Sequence, residues 1–423
     1  MPKLSAVRWA GRLGALGERR FRLLFAGQAT SVLGDALVPV ALSFAVLGLT
    51  GSASDLGLVL AAHTGPLVCL VLVGGVWADR LPRQLVMLAS DCLRGASQAV
   101  AAVLLLTGSA ELWHLIVLAA VYGTAEAFFQ PAATGLVPST VSPERLQQAN
   151  ALLGVSRSLA FIAGPALAGV IVAVAEPGVA FAVDAGTFAV SVACLALLRT
   201  GPVARQASKS FAADLAEGWR ELVSRPWLTA IILWATTYLL VVAAPFNVLG
   251  PLVAKESLGG ATAWGLIAAA FSVGSLLGGG LALRWKPERP LLACTSLVFL
   301  ELPAVALLAL REPAVAIAGA HLVAGIGMGF FMAVWATTLQ QQIPPEALSR
   351  VSAYDWMGSL AFLPVGYVVA GPLAEAIGVS TTLWIAAGWV GVSTTLTLLV
   401  PGVRALRRAD APLARAAAVP SGV

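Results

Sequence analysis

The sequence predicts an all-α membrane protein with twelve transmembrane helices in two six-helix bundles related by pseudo-symmetry. Hydrophobic residues make up 59% of the 423 residues and charged residues only 11%, whereas about a quarter of a soluble domain is charged. A membrane-spanning helix needs roughly 20 apolar residues, so twelve helices and their loops fit this length. The apolar segments are continuous and do not alternate with polar residues, which argues against a transmembrane β-barrel.

The positions of the basic residues predict the orientation of these helices. If the chain starts in the cytoplasm and crosses the membrane twelve times, 24 of its 26 Lys and Arg residues face the cytoplasm, leaving only Lys255 and Arg311 outside. Such an excess in short cytoplasmic loops sets membrane orientation, so both termini are predicted to be cytoplasmic. The net charge of +5 has anionic lipid headgroups as a sufficient counterpart and needs no nucleic acid.

Twelve apolar segments, numbered as spans 1 to 12, account for most of the chain. They cover residues 22–48, 55–78, 85–107, 113–136, 151–175, 179–198, 228–252, 263–284, 290–310, 314–339, 352–375 and 381–401. This arrangement predicts a basic cytoplasmic N-terminal segment (1–21), an N-terminal six-helix bundle (22–198), a cytoplasmic linker (199–227), a C-terminal six-helix bundle (228–401) and a disordered cytoplasmic tail (402–423). Four Lys against 22 Arg is typical of a GC-rich bacterium, so the predicted location is a bacterial inner (plasma) membrane.

The linker carries a pattern of its own. Phe211, Leu215, Trp219 and Leu222 recur at helical spacing, with charged residues on the other faces. This pattern predicts an amphipathic helix that lies on the membrane surface. A solvated linker helix is the alternative.

The two halves repeat each other at an offset of 202 residues in their central part. Pro143–Leu146 matches Pro345–Leu348, and Gly164 matches Gly366. Each half has an even number of spans, so the two copies share one orientation in the membrane. Parallel six-helix repeats of this kind occur in transporters whose substrate site lies near the middle of the membrane.

The loop between spans 2 and 3 carries the strongest local motif, Gly75-Val76-Trp77-Ala78-Asp79-Arg80-Leu81-Pro82-Arg83. It resembles the signature loop of the major facilitator superfamily, apart from Pro82 in place of a glycine and Gln84 in place of a basic residue. The resemblance implies two bundles that rock around a central cavity. Asp79 lies at the negative C-terminal end of its helix, where an acid needs a cation or the N-terminus of another helix. We therefore predict a cytoplasmic gate latch that includes Gly75, Asp79, Arg80, Arg83, Asp91, Arg94, Arg350 and Asp355. For Asp91 with Arg94, and for Arg350 with Asp355, a local ion pair is the alternative.

Span 5 contains Gly164-Pro165-Ala166-Leu167-Ala168-Gly169, which resembles the antiporter motif of this superfamily with Ala168 in place of a glycine. Because proline removes a backbone hydrogen bond and glycine permits close packing, Gly164, Pro165 and Gly169 predict a helix bend. A bend without any role in coupling is the alternative.

Further matches resemble the enterobactin-exporter and macrolide-efflux branch: Gly34-Asp35-Ala36, Phe129-Gln130-Pro131-Ala132, Leu146–Ala151, Asp184-Ala185 and Leu215–Arg220. Span 4 contains no arginine, unlike drug/proton antiporters of other branches.

Acidic side chains inside the predicted spans are the candidates for proton coupling and substrate binding. A carboxylate inside a membrane is costly to keep charged and marks a pathway by default, and a proton can compensate its charge. Asp35 in span 1 ranks first, Glu126 with Gln130 on the same face of span 4 second, and Asp184 in span 6 third. For Asp35, a structural hydrogen bond is the alternative. Glu301 in span 9 is expected to have a structural partner.

The resemblance implies a secondary active exporter that moves amphipathic small molecules, such as drugs, siderophores or secondary metabolites, against entering protons by alternating access. The chain has no G-x-x-x-x-G-K-[ST] loop for ATP, no assembled catalytic constellation and no histidines at metal-ligand spacing. We therefore expect no enzyme, cofactor or metal site, but a monomer whose partners are a small-molecule substrate, protons and membrane lipids. A nutrient symporter or facilitator, a lipid-handling transporter and a non-transporting membrane receptor are the alternatives.

Overall fold

The structure, a computed structural model, describes residues 14–198 and 219–408. Twelve helices within these ranges are long and apolar enough to cross a membrane, which confirms the predicted all-α fold with twelve spans. The described ranges contain no strand. Residues 1–13, the tail beyond residue 408 and the linker residues Phe211 and Leu215 lie outside the described residues.

Spans 1 to 6 make up the first half of the chain. Their helices are Arg19–Asp35 and Val38–Thr50 (span 1), Ala53–Arg80 (span 2), Arg83–Leu106 (span 3), Leu112–Leu136 (span 4), Leu146–Val174 (span 5) and Pro177–Leu197 (span 6). Short 3-10 turns cover Gly14–Gly17, Val137–Ser139 and Pro143–Arg145.

The second half repeats this order with more irregular helices. These are Pro226–Tyr238 and Ala244–Val253 (span 7), Ala261–Arg284 (span 8), Pro290–Leu297 and Glu301–Ala309 (span 9), Ala314–Gln342 (span 10), Pro345–Leu360 and Leu363–Ile377 (span 11), and Val379–Leu399 (span 12). Leu239–Ala243 and Ala254–Leu258 are π-helical, Val298–Leu300 is a 3-10 turn, and a last short helix covers Pro401–Ala405.

Spans 1 and 11, each predicted as a single helix, are interrupted close to a proline. Span 1 stops at Asp35 and resumes at Val38, with Pro39 in the first turn of the second helix. Because proline has no N–H, Pro39 cannot donate to the Asp35 carbonyl four residues earlier. Span 11 is interrupted in the same way, because Pro364 is the second residue of the helix that follows its break. Span 5, by contrast, continues through Pro165. The break in span 1 matters because it directly follows the first-ranked acidic residue.

The chain divides into two compact units. The first contains the described residues of Met1–Gln206 and Ala254–Ala269, and the second those of Ala207–Val253 and Ala270–Val423. Segment 254–269 joins the first unit through span 5, since Gly169 packs against Ala261.

The sequence repeat corresponds to a repeat of helix packing. In the first unit Gly164 of span 5 packs against Ala36 in span 1, and in the second unit Gly366 of span 11 packs against Ala244 in span 7. At each contact the lack of a side chain lets two helix backbones approach closely.

Two further glycines, one in each unit, are also separated by 202 residues and make similar contacts. Gly123 of span 4 lies against the main-chain carbonyl of His63 in span 2, and Gly325 of span 10 lies against the carbonyl of Phe271 in span 8. Gly123 and Gly325 are 202 residues apart, as are Gly164 and Gly366. The two bundles are therefore built on one packing scheme.

We expect Gly164→Ala to destabilise the first unit. A Cβ at this position would lie 2.8 Å from the carbonyl oxygen of Ala36, and overpacking of this kind costs about 1–3 kcal/mol. Gly154→Ala in the same helix is the matched control, because its Cβ would meet nothing within 4 Å. Thermal unfolding in detergent compares the two variants. A Gly164→Ala protein that melts at or above the temperature of Gly154→Ala would contradict the packing argument.

Candidate functional site

A cavity of about 280 Å³ lies within the first unit and is lined by residues from all six of its complete spans. Its volume is close to the lower end of small-molecule pockets, which is about 300 Å³. Apolar side chains such as Leu42, Leu115, Phe129 and Phe161 form much of the wall. The ionisable residues that line it are Asp35, His63, Arg94, Tyr122, Glu126 and Arg157.

Asp35 lies where span 1 breaks. It is the last residue of its helix, at the negative end of the helix dipole, where a carboxylate is disfavoured. Two neighbours compensate for this position. The hydroxyl of Tyr122 in span 4 donates a hydrogen bond to Oδ1, and Nη1 of Arg94 in span 3 lies 3.6 Å from Oδ2. The Asp35 side chain is 29% exposed, so one accessible carboxylate connects spans 1, 3 and 4.

Arg94 is almost completely buried in the wall of the cavity. Its Nη2 donates to Oδ1 of Asp91, and Oδ2 of Asp91 accepts a 2.6 Å hydrogen bond from Ser191 in span 6. The rings of Phe129 and Phe188 lie 4.2 and 4.6 Å from the guanidinium carbon, within the range of cation–π attraction. Aromatic faces and carboxylates therefore replace water around this charge.

Glu126 has a different set of partners. Its Oε2 lies 3.0 Å from Nε2 of His63 in span 2, so the ring donates to the carboxylate when Nε2 carries a proton. Gln130, one helical turn further along span 4, lines the cavity on the same face as Glu126. The ring of His63 is 5.6 Å from that of Tyr122. Glu126 thus pairs with a titratable residue, whereas Asp35 pairs with a permanent cation.

Asp184 is fully buried behind the wall of the cavity. Gln98, which lines the cavity, donates a 2.7 Å hydrogen bond from Nε2 to Oδ2 of Asp184. The carboxylate also fills the space beside Gly34 where a Cβ would stand. Asp35 and Asp184 therefore lie close together across spans 1 and 6, but only Asp35 borders the cavity.

The residues predicted to form the gate latch are only partly described. The side chains of Gly75, Asp79, Arg80 and Arg350 lie outside the part that the structure describes. Arg83 donates a 2.6 Å hydrogen bond from Nη1 to the carbonyl of Gly135 at the end of span 4. Asp355 accepts a 3.0 Å hydrogen bond from the indole of Trp335 in span 10. The latch itself stays a prediction.

Asp91 and Arg94, for which a local ion pair or a latch role was predicted, form an ion pair, and Arg94 lines the cavity. Arg94 is eleven residues into the helix that starts at Arg83, which is about 16 Å along its axis at 1.5 Å per residue. The pair therefore lies well inside span 3, away from its end. Arg94 supplies the cavity with the buried cation that span 4 lacks.

Six polar residues that line the cavity were not predicted as site residues: Gln28, Ser31, His63, Gln98, Tyr122 and Arg157. Gln98 and Tyr122 each stand four residues from a predicted site residue, so helical spacing was the available signal. Arg157 falls inside predicted span 5 and was counted only as an orientation signal. No sequence signal pairs His63 with Glu126, because the close approach of spans 2 and 4 decides that contact.

Glu301 was expected to have a structural partner, but its Oε2 atom has no hydrogen-bond partner among the described residues. Glu301 is 6% exposed. The other buried residues of its helix, Ala304, Val305 and Leu308 among them, are apolar and offer no donor. Across the described ranges, no group of three or more His, Cys, Asp and Glu side chains is placed to hold a metal ion.

The family model described as Major Facilitator Superfamily matches residues 24–361. This chain belongs to that superfamily. It is therefore a membrane transporter and not an enzyme. Its twelve apolar helices and its bacterial efflux relatives indicate a multi-pass protein of the bacterial plasma membrane. The major facilitator fold accounts for the repeated bundles.

Bacterial efflux proteins are among the relatives of this major facilitator protein. It is 25% identical over 410 residues to macrolide efflux protein A of Streptococcus pyogenes, covering 92% of this chain and 97% of that protein. It is 29% identical over 404 residues to the multidrug efflux pump Tap of Mycolicibacterium fortuitum, covering 91% and 94%. The resemblance to the macrolide-efflux branch is confirmed.

Solved structures share its fold at low sequence identity. A bacterial homologue of the iron transporter ferroportin, in an inward-facing state, superposes with a TM-score of 0.73 at 16% identity, covering 90% of this chain and 98% of that one. The nucleoside transporter NupG gives 0.68 at 16% identity, with the same coverage.

Proposed function

We propose that this major facilitator protein is a proton-coupled exporter of amphipathic small molecules that works by alternating access. The observation that carries the proposal is Asp35, an accessible carboxylate at the break of span 1 that contacts both Tyr122 and Arg94. The mostly apolar cavity beside it suits an amphipathic substrate. The names of the efflux relatives support the direction of transport.

The balance of charge around the cavity supports proton binding. Four carboxylates lie in its wall or directly behind it: those of Asp35, Asp91, Glu126 and Asp184. Arg94 is buried among them, and Arg157 lines the cavity at an exposed position. Uncompensated charge inside a membrane is costly, so protons are the expected counterions of the surplus carboxylates. Asp91 and Asp184 are fully buried, which leaves Asp35 and Glu126, the two that border the cavity, for exchange.

Protonation of Asp35 would act on several helices at once. It removes the charge that attracts Arg94 and weakens the hydrogen bond from Tyr122. The next residue, Ala36, packs against Gly164 of the antiporter-like motif. The protonation state is therefore linked to the second helix of span 1 and to span 5. One proton moved across 100 mV supplies about 2.3 kcal/mol, which supports a substrate gradient of about 50-fold.

Purified protein in lipid vesicles tests the proposal. An imposed proton gradient should drive a labelled macrolide, or the hydrophobic cation tetraphenylphosphonium, against the direction of proton flow, and an ionophore that collapses the gradient should abolish this movement. Movement in the same direction as the protons would favour a symporter. Binding without any movement would favour a receptor, and gradient-driven redistribution of labelled lipid would favour a lipid-handling transporter.

A further inference from the structure

His63 is the partner of one of the two carboxylates that border the cavity. Its Nε2 atom lies 3.0 Å from Oε2 of Glu126. The two side chains are 31% and 22% exposed, and both line the cavity. A proton or a substrate in the cavity therefore reaches this pair, whereas the carboxylates of Asp91 and Asp184 are fully buried.

The two accessible carboxylates have different counter-charges. Asp35 faces the guanidinium of Arg94, which is always protonated in proteins. Among the described residues, Glu126 forms an ion pair with His63 alone. A histidine ring is charged only when both of its nitrogens carry a proton. The counter-charge of Glu126 thus depends on proton binding, and that of Asp35 does not.

The other charged and titratable groups around the pair do not supply this counter-charge. Span 2 packs against spans 1, 3 and 4. Arg94 of span 3 is engaged by two other carboxylates. Tyr122 of span 4, whose ring lies 5.6 Å from that of His63, donates its hydroxyl to Asp35 of span 1. Arg157 of span 5 lines the cavity at an exposed position, where water weakens its attraction for other charges. Because an uncompensated carboxylate inside a membrane is costly, a proton on the ring of His63 is the remaining counter-charge.

We propose that His63 is a second proton-binding residue of this exporter. The ring carries an extra proton while it faces Glu126, and it releases that proton to water when the positive charge of a substrate takes its place beside the carboxylate. Histidine suits this role because its charge ordinarily changes between pH 5 and 8. The inference rests on the proposed function and deepens it: the proton exchanged at the Glu126 site is held by the imidazole, and it adds to the one exchanged at Asp35.

The two protons have different effects on the transport cycle. Asp35 lies at the break of span 1 and next to the contact between Ala36 and Gly164, so its protonation controls whether the empty protein returns. Asn at this position imitates the protonated form, lets the protein return without a proton and thereby uncouples transport. His63 joins spans 2 and 4 only. Its loss leaves Asp35 in control and removes one of the two protons.

Nitrogen-15 NMR of the histidines tests the site in the wild-type full chain in lipid nanodiscs. The chain has three histidines, so the signal of His63 is identified by comparison with His114→Gln and His321→Gln. The ring of His63 should change from protonated to neutral between pH 5 and 8. At a pH where it is protonated, saturating tetraphenylphosphonium should remove its proton. A ring that is neutral throughout this range, a ring that keeps its proton with this cation present, or a protein that does not bind the cation overturns the inference.

The number of released protons separates proton binding from a structural hydrogen bond. Calorimetry of tetraphenylphosphonium binding, in two buffers of different ionisation enthalpy, counts the protons released for each ligand bound. The wild type should release about one proton more than His63→Gln. Glutamine keeps an N–H donor for Glu126 but binds no proton, so equal release by the two proteins overturns the inference. If His63→Gln does not fold, the NMR measurement on the wild type decides.

His114→Gln is the matched control for this count. Nδ1 of His114 accepts a 3.0 Å hydrogen bond from the backbone N–H of Glu111 at the start of span 4, and neither residue lines the cavity. The glutamine side chain retains an acceptor. This variant should release as many protons as the wild type.

Transport measurements distinguish failure of this inference from failure of the proposed function. With the membrane potential held at zero, a pH difference of one unit contributes about tenfold to the accumulation ratio for each exchanged proton. The wild type should accumulate tetraphenylphosphonium about 100-fold and His63→Gln about tenfold. Accumulation of about tenfold by both proteins preserves the exporter and overturns the second proton. If the cation displaces the proton of His63 but no gradient drives its movement, the site stands and proton-coupled export does not.

Discussion

Asp35→Asn is expected to abolish proton-driven accumulation of substrate while leaving downhill exchange intact. The amide preserves the size of the side chain and can still accept from Tyr122, but it cannot exchange a proton and carries no charge for Arg94. A driving force of 100 mV supports an accumulation of about 50-fold for one proton per cycle. In vesicles, the accumulation ratio (internal over external substrate) of the variant should fall to about one, as measured by uptake of labelled macrolide under an imposed proton gradient.

The control for this prediction is Asp55→Asn. Asp55 is an acidic residue of the same unit, in the first turn of span 2 and outside the cavity. The Asp55→Asn variant should retain the wild-type accumulation ratio. Undiminished accumulation by Asp35→Asn would rule out Asp35 as the coupling residue and would transfer that role to Glu126.

Arg94→Met is expected to cause the largest loss of stability of any single substitution in the cavity wall. The guanidinium is 2% exposed and Asp91 is fully buried. Removing one member of a buried ion pair leaves the other charge uncompensated, which costs about 3–5 kcal/mol. Cation–π contacts with Phe129 and Phe188 are lost as well. Denaturant unfolding in mixed micelles should show the decrease in the free energy of unfolding.

Two comparisons identify the cause of this loss. Arg157→Met removes an arginine from an exposed position of the same cavity and should cost less than about 1 kcal/mol. The double variant Asp91→Asn/Arg94→Met should recover part of the stability, because it no longer buries an unpaired carboxylate. An Arg94→Met protein as stable as the wild type would show that the ion pair contributes nothing.

Local features of the sequence predicted the fold well. The number of spans follows from continuous apolar segments of sufficient length, and Asp35 was identifiable because a charged side chain inside such a segment is costly. The same logic applied to Arg94, which lies well inside predicted span 3. It was predicted to form a local ion pair or to belong to the latch, and its i,i+3 spacing from Asp91 was enough to predict the ion pair.

Contacts between helices were harder to predict from the sequence. His63 and Glu126 are 63 residues apart, and their 3.0 Å contact depends on the close approach of spans 2 and 4 at Gly123. For Glu301 the burial was predictable from the sequence, but the lack of a hydrogen-bond partner for Oε2 among the described residues was not.

The sequence by itself determined that the protein crosses the membrane twelve times, that its two halves repeat, and that its interior contains several carboxylates. These properties depend on hydrophobicity, spacing and composition, which are local. The tertiary structure decided which charges meet: it placed Asp35 beside Arg94 and Tyr122, and His63 beside Glu126. Such pairings depend on the distance and rotation of neighbouring helices. Packing of glycines such as Gly164 against Ala36 sets that geometry.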